Sequence, residues 1–199
     1  MIRTLEEAAR EAATCTRCRL SQGRTQVVFG VGDPHADLMF IGEAPGFHED
    51  KQGEPFVGAA GQLLNRMLAE IEIRRADVYI NNVVLCRPPG NRDPLPDELE
   101  ACKPWLDERI ALIDPVVVVT LGNWATRYIL GNGVSISRVR GQRFAWSGRT
   151  VIPTFHPAAI LHGGGESSRQ MAALRADFQE IRSALAERPQ PAEEQLGLF

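Results

Sequence analysis

The sequence predicts an α/β protein, a three-layer α/β/α sandwich with a central, mainly parallel four-stranded sheet. Three observations carry that expectation. Four apolar runs, residues 37–41, 78–84, 115–121 and 150–155, have the length of buried strands. The segments between them repeat apolar residues every three or four positions, the period of a helix packed on one side. Several chemistry-bearing residues fall at or just past the ends of the runs, where open α/β sheets bind ligands.

In chain order, Thr4 and Glu7 form a capping box that opens an amphipathic helix bearing Leu5, Ala8, Ala9 and Ala12. Residues 26–30 are a short strand-like run, and Gly32, Asp33 and Pro34 form a turn. The first central strand, 37–41, feeds a glycine-rich stretch and then a helix with Leu64, Met67, Leu68 and Ile71 inward. The second strand, 78–84, carries Asn82 near its exit. Three prolines and a glycine make 87–94 a loop. Pro96 suits the first turn of a helix with Leu99, Cys102, Leu106 and Ile110 on one side, and Pro104 is expected to kink or restart it. Residues 115–121 read as a buried parallel strand, followed by a short helix around 124–130 and a hairpin at 142–149. The fourth strand, 150–155, ends at His156 and Pro157. A last helix turns Met171, Leu174, Phe178, Ile181 and Leu185 inward.

The stretch after the first strand holds five glycines and two prolines between positions 42 and 61, more than packing alone needs. Gly58 and Gly61 stand where a backbone approaches a ligand closely, at a helix N-terminus suited to an anion such as a DNA phosphate. Glu43 and Phe56 offer the same crevice a carboxylate and a flat apolar face. His48, Glu49 and Asp50 read as solvated loop residues. Glu43, Asn82 and His156 share one property, a place at the carboxyl end of a strand.

The four cysteines are Cys15, Cys18, Cys86 and Cys102. No apolar run reaches membrane-spanning length and the N-terminus lacks a signal-peptide core, so a cytoplasmic protein with reduced thiols is expected. A zinc ribbon would want a second close pair, and Cys86 and Cys102 are too far apart for one. Four thiolates of which only two are close in sequence better fit an iron–sulfur cluster that staples remote segments, in a structural role. The bland alternative is four unrelated buried cysteines.

A net charge of −3 argues against a nucleic-acid partner, but its distribution argues for one. Residues 115–165 contain no acid and carry Arg127, Arg138, Arg140, Arg143 and Arg149, enough for one positive face unless the clustering is chance.

The blocks Gly42-Glu43-Ala44-Pro45-Gly46, Glu54-Pro55-Phe56-Val57-Gly58, Asn82-Val83-Val84, Cys86-Arg87-Pro88-Pro89, Asn91-Arg92 and His156-Pro157, together with the cysteine order, resemble the family 4 uracil-DNA glycosylases. These are the iron–sulfur type of bacteria and archaea, and the resemblance covers most of the chain. It implies a 4Fe-4S cluster on Cys15, Cys18, Cys86 and Cys102 and the removal of uracil from DNA as the first step of base excision repair. The uracil nucleotide would be flipped into a pocket lined by Gly42 and Gly46. Phe56 would stack on the base, and Asn82 would pair with its N3–H and O4, a pattern that cytosine reverses. His156 would donate to O2 of the departing base, and an ionised Glu43 would stabilise the sugar cation and orient water.

DNA phosphates are expected at the backbone of Gly58, Gly61 and Gln62 and along Arg138, Arg140 and Arg143, with Ile160 or Leu161 as a wedge. No lysine is placed for a Schiff base, which predicts a monofunctional enzyme. Family members often carry an aromatic residue and an arginine after the His-Pro pair; here Ala158 to His162 follow. No histidine lies between Cys86 and Cys102, so turnover rather than covalent capture of the abasic site is expected.

Residues 1–188 are expected to form one domain and 189–199 a flexible tail. Gln195, Leu196, Leu198 and Phe199 resemble the short motif by which bacterial repair proteins dock on the DNA sliding clamp, the alternative being that they fold back on the domain. The expected molecule is a nucleoid-associated monomer with no membrane contact. Two rivals stand against the enzyme: a uracil-DNA sensor without turnover, and a nucleotide-binding protein, which the missing Gly-Lys-Ser/Thr ending of a P-loop disfavours.

Overall fold

A computed structural model describes residues 3–187. The Thr4–Glu7 capping box forms as expected and starts α1, Leu5–Ala12, whose Ala8 and Ala12 are buried. Next come β1, Val31–Gly32, and β2, Leu38–Gly42. Two helices follow, α2, Phe47–Gln52, and α3, Ala59–Glu70, and then β3, Tyr79–Asn82. The long helix α4, Pro96–Ile113, begins with its proline at the first position and leads to β4, Val117–Leu121. After α5, Gly122–Leu130, and α6, Ile136–Val139, the hairpin strands β5, Phe144–Trp146, and β6, Arg149–Thr154, complete the sheet. The last helices among the described residues are α7, Pro157–His162, and α8, Arg169–Ala186.

The sheet has six strands in the order β1-β3-β2-β4-β6-β5. The four inner strands are parallel and match the four apolar runs, whereas β1 and β5 are antiparallel edges. The edges are two and three residues long, too short for a periodic signal. The run at 26–30 is not a strand; pairing begins one residue later, at Val31, although Val28 already donates to the Leu85 carbonyl at 2.9 Å. Pro104 neither stops nor restarts α4, because it stands on the exposed side, where the carbonyl it leaves unpaired faces water.

Side chains alternate across the sheet with period two. Leu38, Phe40, Val117, Val119 and Ile152 face α3 and α8, meeting Leu64, Met67, Leu68, Met171, Leu174, Phe178 and Ile181. Met39, Ile41, Val118 and Val151 face α4 and α5, meeting Leu106, Ile110, Ile113 and Ile129. Each such buried aliphatic contributes roughly 1.5–3 kcal/mol. A third cluster joins α1 to the start of α4 through Ala8, Ala12, Leu20, Trp105, Cys86 and Cys102. The parallel register sets Gly42 beside Asn82 and Leu121 beside Thr154, so the exits of the inner strands share one edge.

Candidate active site

A pocket of about 160 Å³ opens at that edge, lined by Ala44, Gly46, Glu49, Phe56, Ala60, Asn82, His156 and Ala158. A larger hollow of about 460 Å³ lies at the opposite end of the strands, among Leu38, Ile71, Val78 and Leu185. It gathers none of the strand-exit residues, whereas Asn82 and His156 meet in the smaller one. Glu43 is half-buried beside Ala44 but is not part of the pocket wall.

Gly42 makes the wall possible. A Cβ on it would stand 2.3 Å from Asn82 Oδ1 and 2.7 Å from Phe56 Cζ, so only glycine lets the amide and the ring close over the strand exit. Phe56 is held at φ +55°, a conformation costly for a side chain of its size, and its ring centroid lies 5.6 Å from that of His156 at 30°. Asn82 Oδ1 is buried with no hydrogen-bond partner among the described residues. An orphaned acceptor in a pocket wall is costly until an N–H reaches it. Asn81, on the opposite face of the strand, also buries an unpartnered amide, but it does not line the pocket.

His156 caps α7: its Nδ1 accepts from the Ala158 N–H at 3.2 Å. The neutral ring therefore carries its proton on Nε2. Burial pushes its pKa down to about 4, against the opposing charge of Glu49, so the imidazole is neutral at physiological pH and Nε2–H is a donor. Glu43 moves the other way. Burial, helped by the charge of Asp93, raises it to about 7.

Glu49 is not a solvated loop residue. Its Oε1 accepts from the N–H groups of Val57 and Gly58, at 3.0 and 2.9 Å, at the N-terminus of α3. Asp50 is buried too and accepts from Thr25 N–H at 2.8 Å. The sequence hid both, because Phe47–Gln52 is a helix that the surrounding glycines disguised as loop.

The expected DNA contacts fare unevenly. The Gly58 N–H already serves Glu49, and Gly61 is needed for packing, since a Cβ there would lie 1.7 Å from the Phe56 carbonyl oxygen. Arg140 is drawn onto buried Asp177, which also accepts from Thr154 Oγ1 at 2.6 Å, so it ties α8 to the end of β6 instead of facing solvent. Arg143 pairs with Glu180 and Glu187. Three of the five arginines of the acid-free segment are thus paired, Arg140 and Arg143 with acids of α8 and its C-cap and Arg149 with Asp114. Ile160 is buried and cannot act as a wedge, whereas Leu161 is 39% exposed. Gln62 and Arg138 are exposed.

The four cysteines meet in the cluster joining α1 to α4, Cys86 and Cys102 buried, Cys15 and Cys18 half-buried. Three of the sulfurs face N–H donors. Arg24 Nη1 lies 3.3 Å from Cys86 Sγ, Trp105 Nε1 lies 3.3 Å from Cys15 Sγ, and the Leu85 N–H lies 3.5 Å from Cys102 Sγ. Arg109, fully buried, donates to the carbonyls of Trp105, Phe29 and Asn82 and lies 5.3 Å from the centroid of the Phe29 ring, a buried positive charge with no carboxylate partner among the described residues. Burial raises the Cys102 thiol to about 12. Among the described residues no three such side chains converge as a single metal ion requires. The four thiols come from three separate segments and pack in one cluster, as the ligands of an iron–sulfur centre that joins those segments would. The N–H donors and the buried cation suit the negative charge of such a centre.

A family model, the Uracil DNA glycosylase superfamily, matches residues 29–179. The chain is 47% identical over 188 residues to the type-4 uracil-DNA glycosylase of Sulfurisphaera tokodaii, covering 90% of this chain and 84% of that protein. It is 46% identical over 181 residues to the type-4 uracil-DNA glycosylase of Thermotoga maritima, covering 90% and 93%. Against the type-5 uracil-DNA glycosylase of Thermus thermophilus, identity is 36% over 118 residues, about half of each chain.

Proposed function

The chain belongs to the uracil-DNA glycosylase superfamily and to its type-4 branch, and from that premise we propose how its pocket works. The protein is a hydrolase that cuts the N-glycosidic bond of uracil in DNA, releasing the base and leaving an abasic site for base excision repair. The flipped uracil enters between Phe56 and the strand exits and stacks on the Phe56 ring. Its N3–H satisfies Asn82 Oδ1, the orphaned acceptor that carries this reading, and the amide NH₂ of Asn82 meets O4. Cytosine would set an acceptor against that oxygen.

As the C1′–N1 bond breaks, its electron pair goes to the base and positive charge develops on the sugar. His156 donates from Nε2 to uracil O2 and stabilises the anion while remaining neutral. The ionised form of Glu43 faces the sugar cation and orients the water whose oxygen bonds C1′, the released proton passing to the carboxylate or to solvent. Cys15, Cys18, Cys86 and Cys102 would hold a 4Fe-4S cluster, which supplies no chemistry at the glycosidic bond and ties the N-terminal segment to the loop after β3.

The tail residues Gln195, Leu196, Leu198 and Phe199 lie outside the described residues. We read them as a docking motif for the bacterial sliding clamp, bringing the enzyme to the nucleoid. Deleting residues 195–199 should abolish retention on immobilised clamp while sparing uracil release from short oligonucleotides.

The central test is direct. Purified protein with a uracil-containing oligonucleotide and no added metal should yield free uracil and alkali-labile sites, and its visible spectrum should show iron–sulfur absorption. Tight binding without alkali-labile sites would make the chain a sensor instead.

A further inference from the structure

The expected DNA contacts at Arg140 and Arg143 are consumed by carboxylates, which leaves Arg138 of that set and calls for further cations to meet the strand. One candidate group stands at the mouth of the pocket. Gly46 lines the pocket, and the next residue, Phe47, is the most exposed large apolar side chain among those described, at 45%. Lys51 Nζ lies 4.5 Å from the centroid of the Phe47 ring, and the Arg87 guanidinium lies 5.1 Å from it. The His48 ring meets the same ring edge-on at 5.4 Å.

Phe47 and Lys51 are one turn apart on α2, and Arg87 arrives from the loop that begins at Cys86. Its Nε donates to Asn91 Oδ1 at 2.7 Å. Neither Lys51 nor Arg87 has a carboxylate partner among the described residues, whereas Arg19, Arg92, Arg140, Arg143 and Arg149 each do. The platform is also anchored: Asp50 fixes α2 to Thr25, and the Lys51 carbonyl accepts from Gln26 Nε2 at 2.5 Å.

We propose that Phe47, Lys51 and Arg87 form a phosphate-binding fork that grips the DNA strand beside the flipped nucleotide. This rests on the glycosylase reading above. An exposed aromatic ring that gathers two cations holds them side by side against their mutual repulsion, at little entropic cost to later binding. Their charges remain unspent because no acid among the described residues pairs with them, and a DNA strand entering the pocket passes the residue after Gly46. Arg87 follows Cys86 directly, so the thiol cluster that anchors this loop also sets the position of one prong.

The test measures the salt dependence of binding. The probe is a single-stranded oligonucleotide carrying one 2′-fluoro-2′-deoxyuridine, whose fluorine resists formation of the sugar cation and so prevents cleavage. Each phosphate contact on a single strand contributes about 0.7 to the slope of log affinity against log salt. The Lys51→Ala/Arg87→Ala variant should flatten that slope by about 1.4 and weaken binding by about tenfold at low salt. Phe47→Ala should weaken binding by a few-fold, and Phe47→Trp should restore it, since indole holds cations better.

Arg74→Ala is the comparison. It removes one positive charge, paired with Asp77, from the opposite end of the strands, and should leave the slope unaltered. Circular dichroism confirms folding of every variant. A double variant with the slope of Arg74→Ala would overturn the fork. Wild-type protein that binds the probe but releases no uracil from an ordinary substrate would overturn the glycosylase reading instead.

Discussion

Gly42 and Asn82 face each other in register across two parallel strands, and the space a side chain would take on one is filled by the amide of the other. The pocket therefore depends on an absent methyl group as much as on any functional group present. Gly42→Ala should displace Asn82 or Phe56 and lower kcat/KM for uracil release by at least tenfold, with a smaller effect on thermal stability. Single-turnover kinetics beside a melting curve separates the two.

Glu43, raised to about 7 by burial and by the charge of Asp93, is half protonated near neutrality. If the ionised form acts, kcat/KM should rise with pH through about 7 and level off above it. Asp93→Asn removes a repelling charge, lowers the Glu43 pKa and should move that limb to lower pH. Glu43→Gln should abolish the limb together with most of the turnover.

His156 moves in the opposite sense. Its ring is neutral until the pH falls to about 4, whereas an unfolded chain takes up that proton near 6.5. Between those values the unfolded state binds more protons, so the stability that His156 contributes is present above about 6.5 and is lost as pH falls toward 4. Denaturant titrations across that window should show the loss, and His156→Asn should flatten it. His156→Ala should reduce kcat by about 10²–10³, the usual cost of one oxyanion donor.

Glu49 satisfies two N–H groups at the start of α3 with one carboxylate oxygen. Glu49→Ala leaves them unpaired and loosens the segment that holds Phe56 in its left-handed conformation. The expected loss is about 1–2 kcal/mol, a fall in Tm of roughly 2–4 °C for each kcal/mol in a chain of this size. Glu49→Gln retains an acceptor and should recover most of it. Melting curves of the two variants check this.

Much of the molecule is legible in the amino-acid sequence. The runs at 37–41, 78–84, 115–121 and 150–155 form the four parallel strands because a strand buried on both faces is mostly apolar, with polar exceptions such as Asn82 and Thr154 at the exits. Asn82 and His156 were readable because strand exits in such a sheet converge. The hairpin expected at 142–149 supplies the edge strand Phe144–Trp146, whereas Val31–Gly32 has no signal in the sequence because two residues are held by pairing, not by pattern. Glu49 escaped because its partners are backbone N–H groups eight and nine residues away, which no spacing of side chains announces. Arg140 and Arg143 misled because a run of residues without acids says nothing about the acids a distant helix will deliver, here Asp177, Glu180 and Glu187.

The strand order has a bearing on biosynthesis. The inner strands β3, β2 and β4 can pair as soon as residue 121 has left the ribosome, but His156 and the strand that leads to it arrive later and close the sheet on its far side. A nascent polypeptide halted before that point would own Glu43, Phe56 and Asn82 yet lack the imidazole. Such a truncated translation product, even where its early strands have already assembled, would be without the group assigned to the departing base.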